Sequence, residues 1–410
     1  MAILSECASI GYPGKQLNQP SETKSVLGHS SEAVRAFNRR LILNLIRTRQ
    51  PLSRADLSRL SGLQRSTISL IVEELILERW VLEGPVAKLP RGRHPTSLRL
   101  NEDRVIIGAD IRPAQITMGV GDVNGRFLTI ESIPTPKDPQ AAIQQLVDWI
   151  RYQTAAFAKE KMVEGIGIAL PGRAGSENRE LMFAPNMHWP AVDLRTPIAE
   201  ATGYDVVLEN AANACVLSSV WFSSNTPSRN LVAITVSEGI GSGLYVNGQL
   251  ARGVNGMAGE FGHVPVGPDG PLCSCGRRGC WELYGSNRAA LRYYEELTKS
   301  PQPEVTFSGL LAKADEGDAK AIQAIGEMAK WLAFGMRIIV GGLAPERINI
   351  IGELTRSWSR FGPVIDAAVL EQTSSGGVPP LVIPIHEDGL ARLRGTIALV
   401  LQKDFAEPTA

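Results

Sequence analysis

Residues 259–282 read GEFGHVPVGPDGPLCSCGRRGCWE, and this stretch gathers metal-binding chemistry in a chain that has five Cys and five His in total. His263, Cys273, Cys275 and Cys280 fall within eighteen residues. Three thiolates and an imidazole make up one of the closed ligand sets of structural zinc sites. Small buried apolar cysteines or redox thiols are the alternative, but they fit this ligand-like spacing less well. We therefore predict one structural zinc ion per chain.

Two carboxylates frame the Cys-rich loop, Glu260 near its start and Glu282 at its end. A Cys3His set already supplies the four ligands of a tetrahedral zinc ion. Neither carboxylate is therefore needed by the metal, and both are available for another task, such as binding a ligand.

The length and composition are those of an ordinary globular protein. At 410 residues, 44% hydrophobic and 20% charged, the chain can build two or three domains with cores of their own. No apolar run approaches the length of a membrane span, and the N-terminal MAILSECASIGYPGKQ lacks the basic and apolar segments of a secretory signal. Because a metal explains the clustered Cys, we expect a reducing, cytoplasmic environment and no membrane association.

Charge is unevenly distributed along the chain. The 42 basic and 42 acidic residues cancel overall, but 32–99 holds thirteen Lys or Arg against six Asp or Glu, which leaves +7 there and −7 elsewhere. A basic module on an acidic body predicts one part that meets a polyanion. Residues 1–30, rich in Ser, Gly, Pro, Gln and Asn, are predicted to be a disordered tail.

A compact helical unit follows the tail. Apolar residues at helical spacing predict an amphipathic helix over 32–49, and Ser53 with Asp56 forms the capping-box pattern of a short second helix that ends near Gly62. A third helix after this glycine completes a helix-turn-helix, whose third helix enters the DNA major groove. An ordinary three-helix bundle is the alternative. The candidate DNA-contacting residues at the start of the third helix are Gln64, Arg65, Ser66, Thr67 and Ser69.

A β-hairpin is predicted next, with strands at 80–83 and 97–100 and a turn at Gly84 and Pro85. Between the strands lies LPRGRHP, in which Arg91 and Arg93 can reach a phosphate backbone or a narrow minor groove. With the three helices, this hairpin predicts a winged helix-turn-helix. A solvated basic linker is the alternative for the hairpin alone.

From residue 104 onward the pattern alternates strands and helices, with a long helix predicted over 139–160 and a closing helix predicted over 390–401. Two β-rich openings, one from residue 105 and one from residue 231, are each followed by helices, which predicts an internal duplication of an α/β lobe. Ligands of such sheets bind beyond the carboxyl ends of the strands, so we expect a ligand cleft between the two lobes.

The 259–282 stretch resembles the signature of the ROK family of repressors, open reading frames and sugar kinases. The resemblance extends from about residue 32 to the C-terminus, and the winged helix before the body is similar to the repressor branch, which includes regulators responsive to glucose, N-acetylglucosamine and xylose. It implies an actin-like, ribonuclease-H-like body of two α/β lobes. The implied boundaries are a tail at 1–30, a winged helix at 31–101, a first lobe at 102–212 plus 387–410, and a second lobe at 213–386. The matching motifs are AGEFGH at 258–263 and CxCGxxGCxE at 273–282.

Kinase chemistry is not expected, since this chain departs from the family's kinases at several places. Their Asp-x-Gly-Gly-Thr phosphate loop is replaced by DIRPA at 110–114, and Glu238 and Glu353 place acids in two further nucleotide loops. Their Glu-Asn-Asp-x-Asn-Ala motif reads ENAANA at 209–214, so Ala211 stands where the catalytic Asp would take a proton. We therefore predict no catalytic residue and no enzyme activity.

The sugar half of the family's site is better preserved. Carboxylates and amides suit this role because each can bridge two neighbouring hydroxyls. The resemblance implies that the zinc orients the binding loop and does no catalysis, while loss of the Asp at Ala211 leaves sugar binding weakened, changed in specificity or lost. Trp189 is equally compatible with stacking on a sugar ring and with a packed loop. The residues carried over as effector ligands are Asn210, Glu260, His263, Glu282, Asn186 and Gly172.

Together these features predict a DNA-binding regulator that represses carbohydrate-metabolism genes and senses a sugar or sugar derivative between its lobes. Its expected partners are operator DNA, the effector, and further copies of itself in a homodimer or larger homo-oligomer. Two other functions remain open. One is an ATP-dependent sugar kinase, and the other is a regulator that has lost sugar sensing and responds to a protein partner.

Overall fold

The computed structural model describes residues 31–86, 96–174, 180–183, 187, 189–222, 228–300, 304–373, 377–386 and 390–405. Arg91, Arg93 and Asn186, three of the predicted site residues, lie outside these ranges, as does the predicted tail at 1–30.

The N-terminal unit has the three helices and the hairpin of a winged helix. Ser53 caps the second helix by accepting from the Asp56 amide, and the Asp56 carboxylate accepts from the Ser53 amide in return, so the predicted capping box is present. Gly62 ends this helix in the left-handed conformation at φ 73°. The elements are α1 (Ser31–Arg49), α2 (Arg54–Ser61), α3 (Arg65–Leu77), β1 (Val81–Val86) and β2 (Thr96–Leu100).

The first lobe is built on a five-stranded sheet with the order β10-β6-β3-β4-β5. Its first three strands form an antiparallel meander, and the last two run parallel to the first strand. A small three-stranded sheet, β7-β8-β9, lies in the connection before the last strand. The elements are β3 (Arg104–Ile111), β4 (Gln115–Asp122), β5 (Phe127–Pro134), α4 (Pro139–Phe157), β6 (Met162–Leu170), β7 (Arg173–Ala174), β8 (Glu180–Phe183), β9 (Val192–Asp193), α5 (Arg195–Thr202), β10 (Val206–Asn210) and α6 (Ala211–Phe222).

The second lobe repeats this topology, with the order β13-β12-β11-β14-β15. Three antiparallel strands again precede two parallel ones, which agrees with the predicted duplication and with the two-lobe α/β fold class. Short 3-10 turns lie at 254–256, 260–263 and 353–357. The elements are β11 (Leu231–Val236), β12 (Ile240–Val246), β13 (Gln249–Leu250), α7 (Glu282–Gly285), α8 (Asn287–Thr298), α9 (Phe307–Asp315), α10 (Ala319–Leu343), β14 (Arg347–Ile351), α11 (Trp358–Thr373), β15 (Leu381–Ile385) and α12 (Leu390–Phe405).

The helices α6 and α12 join the lobes. The helix α6 follows the first sheet but packs on β11 and β12 of the second, whereas α12 packs on β3 and β6 of the first. The two helices cross in close contact at Gly395, where an added Cβ would lie 1.9 Å from the carbonyl oxygen of Ala214. Only glycine permits this approach, so the lobes meet through a tightly packed helix pair.

The winged helix shares a hydrophobic core with the body. Trp80 packs edge-on against Phe405 of α12 at a centroid distance of 5.5 Å, and Phe405 packs in the same way against Trp221 of α6 at 5.4 Å. Asn44 of α1 donates to the Phe405 carbonyl at 2.6 Å. The winged helix is therefore held against α6 and α12 by packing as well as by chain connectivity.

Three predicted element bounds were wrong. The first strand of the hairpin continues through Gly84 and Pro85 to residue 86, because a bulge beyond Glu83 accommodates the proline. The helix predicted over 139–160 ends at residue 157. The closing helix extends past residue 401 to Phe405, whose side chain is buried in the core shared with the winged helix.

None of the helices in the described part of the chain is both long enough and apolar enough to cross a bilayer.

Candidate functional site

A cleft lies between the two lobes where several chain segments converge. The junction of β10 and α6, the turn between β11 and β12, the 3-10 turn at 260–263 and the first residue of α7 all contribute to its walls. Five of the six predicted effector residues line this cleft: Gly172, Asn210, Glu260, His263 and Glu282.

The 3-10 turn that carries Glu260 and His263 is fastened to β12. Gly259, which precedes the turn, has φ 90°, and an added Cβ would lie 2.1 Å from the carbonyl oxygen of Ser242. The Ser242 hydroxyl donates to the Gly259 carbonyl at 2.5 Å. A glycine is therefore required at the point where the binding turn meets the sheet.

The four predicted metal ligands converge on one point. Their ligand atoms all lie within 4.8 Å of one another. The sulfurs of Cys275 and Cys280 are 3.6 Å apart, and Cys273 Sγ is 3.6 Å from His263 Nδ1. Tetrahedral zinc with its usual bond lengths needs about 3.8 Å between two sulfurs and about 3.6 Å between sulfur and nitrogen. The cluster thus fits a metal ion, and the donor set suits zinc.

Two of these thiols need a cation to ionise. Burial raises the pKa of Cys280 to about 11, and burial raises the pKa of Cys273 further. A metal binds thiolates, so it must displace the thiol protons when it binds.

His263 faces the metal cluster with one nitrogen and the cleft with the other. Its Nδ1 is 3.5 Å from Glu282 Oε1, and its Nε2 is 3.8 Å from Glu260 Oε2. The Cys273 thiol donates to Glu282 Oε1 at 3.1 Å. Glu282 is therefore tied to the metal cluster, whereas Glu260 is the more exposed carboxylate of the cleft, with 30% of its side chain accessible.

The opposite wall is built around Asn210. Its amide group donates to the Gly172 carbonyl and accepts from the Ala212 amide, both at 2.8 Å, which leaves one donor hydrogen and one lone pair. Asn213, one turn along α6, is 5% exposed and has a buried Oδ1 with no hydrogen-bond partner among the described residues. A buried acceptor at a cleft wall invites a polar ligand or water. Asn213 belongs to the ENAANA motif at 209–214, but the motif alone predicted no role for this residue.

Ala211 lies at the start of α6 in the wall of the cleft, with 5% of its surface exposed. Nearby, Arg112 Nε donates to Asp110 Oδ2 at 2.6 Å. Burial lowers the pKa of Arg112, but the charge and hydrogen bond of Asp110, together with Cys215 and Glu238 nearby, outweigh burial and the net shift of the pKa is upward. The arginine is therefore a permanent cation at the end of β3, beside the Asp110 carboxylate.

Trp189 belongs to a packed loop. It is 8% exposed within the hydrophobic core of the first lobe, and its indole donates to the Pro136 carbonyl at 3.3 Å. Of the two interpretations of this residue, packing is right and ring stacking on a ligand is not supported.

The candidate recognition helix α3 exposes its N-terminal end. Gln64, Arg65 and Ser66 are exposed, and Thr67 and Ser69 are partly exposed. The opposite face of the helix is buried against α1 and α2. Within the described part of the chain, the Gln64 side chain at the N-cap makes no capping hydrogen bond to α3.

Comparison with known proteins agrees with this architecture. The xylose repressor of Bacillus spizizenii is 30% identical over 351 residues, which cover 85% of this chain and 89% of that protein. The glucokinase of Streptomyces coelicolor is 31% identical over 66% of this chain and 94% of its own length.

Two solved structures have the same fold. A ROK family transcriptional regulator, a homologue of the E. coli MLC protein, is 24% identical and superposes with a TM-score of 0.77 over 91% of this chain and 98% of its own. A ROK family glucokinase from Streptomyces griseus, in complex with glucose and AMPPNP, is 28% identical with a TM-score of 0.65 over 73% of this chain and 99% of its own.

The family model described as the ROK family matches residues 106–403, which include the Cys-rich loop, both sheets and most of α12. Because this model matches most of the chain, and because a repressor is 30% identical to it over 85% of its residues, this chain belongs to the ROK family.

Proposed function

We propose that this chain is a DNA-binding transcriptional repressor of carbohydrate-metabolism genes, which senses a sugar or sugar derivative in the cleft between its lobes and does not phosphorylate it. The observation that carries the proposal is the core shared by the winged helix, α6 and α12. Because α6 also begins in the wall of the cleft, a ligand there acts on an element that contacts the DNA-binding unit.

The extent of similarity favours a repressor over a kinase. The glucokinase match covers 94% of the enzyme but 66% of this chain, whereas the xylose repressor match covers 85% of this chain. The kinase-like part therefore leaves out a portion of the chain that the repressor match includes. The family model likewise begins at residue 106, after the winged helix.

We also propose that the metal is zinc, that it has a structural role, and that there is one ion per chain. It would be held by His263, Cys273, Cys275 and Cys280. When bound, it would supply a fixed charge that holds the loop and the His263 ring in place. The chain's own groups then contact the sugar: Glu260 accepts from hydroxyls, and Asn210 and Asn213 offer amide groups on the other wall.

A continuous set of contacts connects the cleft to the DNA-binding unit. The helix α6 begins at Ala211 in the cleft and ends near Trp221. Arg47 of α1 stacks on the Trp221 ring at 4.4 Å and donates to the Trp221 carbonyl at 3.1 Å. Burial lowers the pKa of Arg47 to about 10, and the group stays charged at neutral pH. We propose that a shift of α6 on ligand binding moves α1 through this contact.

Operator affinity would change because two winged helices must match two half-sites. In the proposed homodimer or larger homo-oligomer, only one arrangement of the two recognition helices fits the half-site spacing. An effector that favours a different lobe closure lowers the population of that arrangement, and operator affinity falls with it.

Replacing Arg65 with Ala is expected to weaken binding to operator DNA by about 5- to 150-fold, the range for losing one base or phosphate contact of an arginine. Arg65 is exposed at the first position of α3. The measurement is fluorescence anisotropy with a duplex selected by the wild-type chain from genomic fragments. Arg360→Ala, an exposed arginine on α11, is the control and should bind like wild type. Equal losses in both variants would contradict the role of α3.

The alternative function, a sugar kinase, is favoured by the glucokinase relatives and is tested directly. Because Ala211 cannot take a proton from a sugar hydroxyl, we expect ATP consumption with any monosaccharide to equal that of the Glu260→Ala variant. The measurement is a coupled ADP assay with purified protein and a hexose and pentose panel. Sugar-dependent ADP release above that control would reject the non-enzymatic assignment.

A further inference from the structure

A groove lies between the winged helix and the second lobe, and none of the described residues that line it also lines the cleft between the lobes. Its walls come from α1, the end of α6, the β12–β13 hairpin and the last turns of α12. Its volume of about 710 Å³ is in the range of small-molecule sites. The α1 residues in its wall follow helical spacing and so form one face of that helix: Phe37, Arg40, Leu41, Asn44 and Arg47.

The charges of this groove are of one sign. Four arginines line it, and none of the described lining residues is Asp or Glu. Glu209 accepts a hydrogen bond from Arg252 Nε at 2.8 Å, which balances the charge of that arginine. The other three are Arg40 and Arg47 on α1 and Arg229 just before β11. A concave surface with several cations and no lining anion attracts negatively charged ligands.

Arg47 is held in place by neutral groups. Its Nε donates to Asn44 Oδ1 at 3.3 Å, its Nη1 donates to the Trp221 carbonyl at 3.1 Å, and its guanidinium lies 4.4 Å from the centre of the Trp221 ring. Burial lowers the pKa of Arg47 to about 10, with Tyr245 acting in the opposite direction. The side chain is therefore a partly desolvated cation at neutral pH, and a bound anion would compensate the cost of its burial.

The arginine of the second lobe lies beside a well-defined turn. Asn247 and Gly248 connect β12 to β13 with φ values of 53° and 84°, as in the tight hairpin turns that favour Asn-Gly. The Asn247 amide donates to Asn230 Oδ1 at 2.9 Å, and Arg229 Nη2 donates to the Asn247 carbonyl at 3.4 Å. Arg229 is thus positioned by the hairpin, while Arg40 and Arg47 are positioned by α1.

We propose that this groove binds a small organic anion with two or more phosphate or carboxylate groups, which contacts Arg40 and Arg47 on the winged helix and Arg229 on the second lobe. Guanidinium groups bind both kinds of oxyanion through paired hydrogen bonds. Because the cations lie on two parts of the chain, the ligand ties the winged helix to the second lobe. This inference goes beyond the proposed function, since it adds a second ligand site away from the sugar cleft.

A small anion suits the groove better than the DNA backbone does. The candidate recognition helix α3 and the hairpin strands β1 and β2 contribute none of the described lining residues. The groove is lined instead by α1 and by parts of the body, including the aromatic rings of Trp221 and Tyr245. A ligand there would set the position of the winged helix without covering α3.

Calorimetric titration of the full chain at low ionic strength tests the proposal, with pyrophosphate and citrate as probes of the two kinds of anion. We expect at least one of them to bind wild type, and Arg40→Gln and Arg229→Gln each to weaken that binding by about 10- to 100-fold, the loss of hydrogen bonds to a charged group. Arg360→Gln, an exposed arginine on α11, is the matched control and should bind like wild type. Arg65→Gln on α3 should also bind like wild type, because this residue lies outside the groove.

Each result decides for or against the groove. Tighter binding of pyrophosphate assigns the site to phosphates, and tighter binding of citrate assigns it to carboxylates. If neither anion binds wild type at about 1 mM, the proposal is wrong, and this result needs no variant. An equal loss in Arg65→Gln would place the anion on the DNA-binding surface, and a loss in only one of the two groove variants would contradict a ligand that bridges the winged helix and the second lobe.

Titration with glucose and xylose separates this site from the sugar sensor. If a sugar binds wild type, its affinity should be the same in Arg229→Gln, because the groove and the cleft share none of their described lining residues. If no sugar binds but an anion does and depends on Arg40 and Arg229, the groove stands and the sugar sensor fails. If a sugar binds and neither anion does, the sensor stands and the groove is wrong.

Discussion

Removal of the metal from the Cys-rich loop is expected to lower the melting temperature by about 10 °C. A ligand present at about a thousand times its dissociation constant adds about 4 kcal/mol to the free energy of unfolding. In domains of about 150–250 residues, each kcal/mol shifts the melting temperature by about 2–4 °C. Cys275→Ser should have the same effect, since Cys275 Sγ is 3.6 Å from Cys280 Sγ and the substitution loses little packing at this partly exposed position. Differential scanning calorimetry with and without a chelator measures both.

Ser274→Ala is the matched control, because Ser274 is exposed and lies between two of the ligands. This variant should melt like wild type and lose the same stability on chelation. Metal analysis by mass spectrometry should find one zinc ion per wild-type chain and much less in Cys275→Ser. A chelator that leaves the melting curve unchanged, with little zinc in the purified protein, would contradict a structural metal.

Replacing Glu260 with Gln is expected to weaken sugar binding by about 100-fold and to leave the melting temperature nearly unchanged. Hydrogen bonds from hydroxyls to a carboxylate are stronger than those to an amide, and Glu260 stands partly exposed in the cleft with His263 3.8 Å away. The measurement is calorimetric titration with the monosaccharide that stabilises wild type most in a thermal-shift panel.

Glu238→Gln removes a carboxylate from the same cleft, on the turn between β11 and β12. Because Glu238 is on the turn between β11 and β12 and not on the 3-10 turn that carries Glu260 and His263, we expect its replacement to change the affinity for a neutral sugar by less than about threefold. If both variants lose the same affinity, general charge in the cleft matters and the specific role of Glu260 is wrong.

Local chemistry made much of the fold predictable from the sequence. The capping box at Ser53 and Asp56 and the left-handed Gly62 are interactions within a few residues, so their patterns identify a helix and its ends without tertiary information. The Cys-rich loop is also local, since its ligands lie within eighteen residues. That close spacing predicted the four metal ligands, and their ligand atoms all lie within 4.8 Å of one another in the structure.

Contacts between distant segments were not predictable in the same way. Phe405 extends α12 because its ring packs between Trp80 and Trp221, which lie far from it in the chain. The close crossing at Gly395 likewise depends on a backbone carbonyl of α6. Helical periodicity indicates that such residues are buried but not which partner buries them.

In the candidate site, too, local motifs identified the residues but not the tertiary contacts that they make. Motif spacing identified Glu260 and Asn210, but Asn210 uses much of its amide to link Gly172 and Ala212, and Glu282 contacts the metal cluster.

The central claim is that a sugar bound between the lobes controls the DNA affinity of the winged helix. The most direct test measures anisotropy of a labelled operator duplex, selected from genomic fragments by the full chain, during titration with sugars and sugar phosphates. We expect at least one of these ligands to change operator affinity by about tenfold or more in wild type, and Glu260→Gln to need about 100-fold more of that ligand for the same change. Specific DNA binding that no sugar or sugar phosphate alters, or an equal response in Glu260→Gln, would contradict the account.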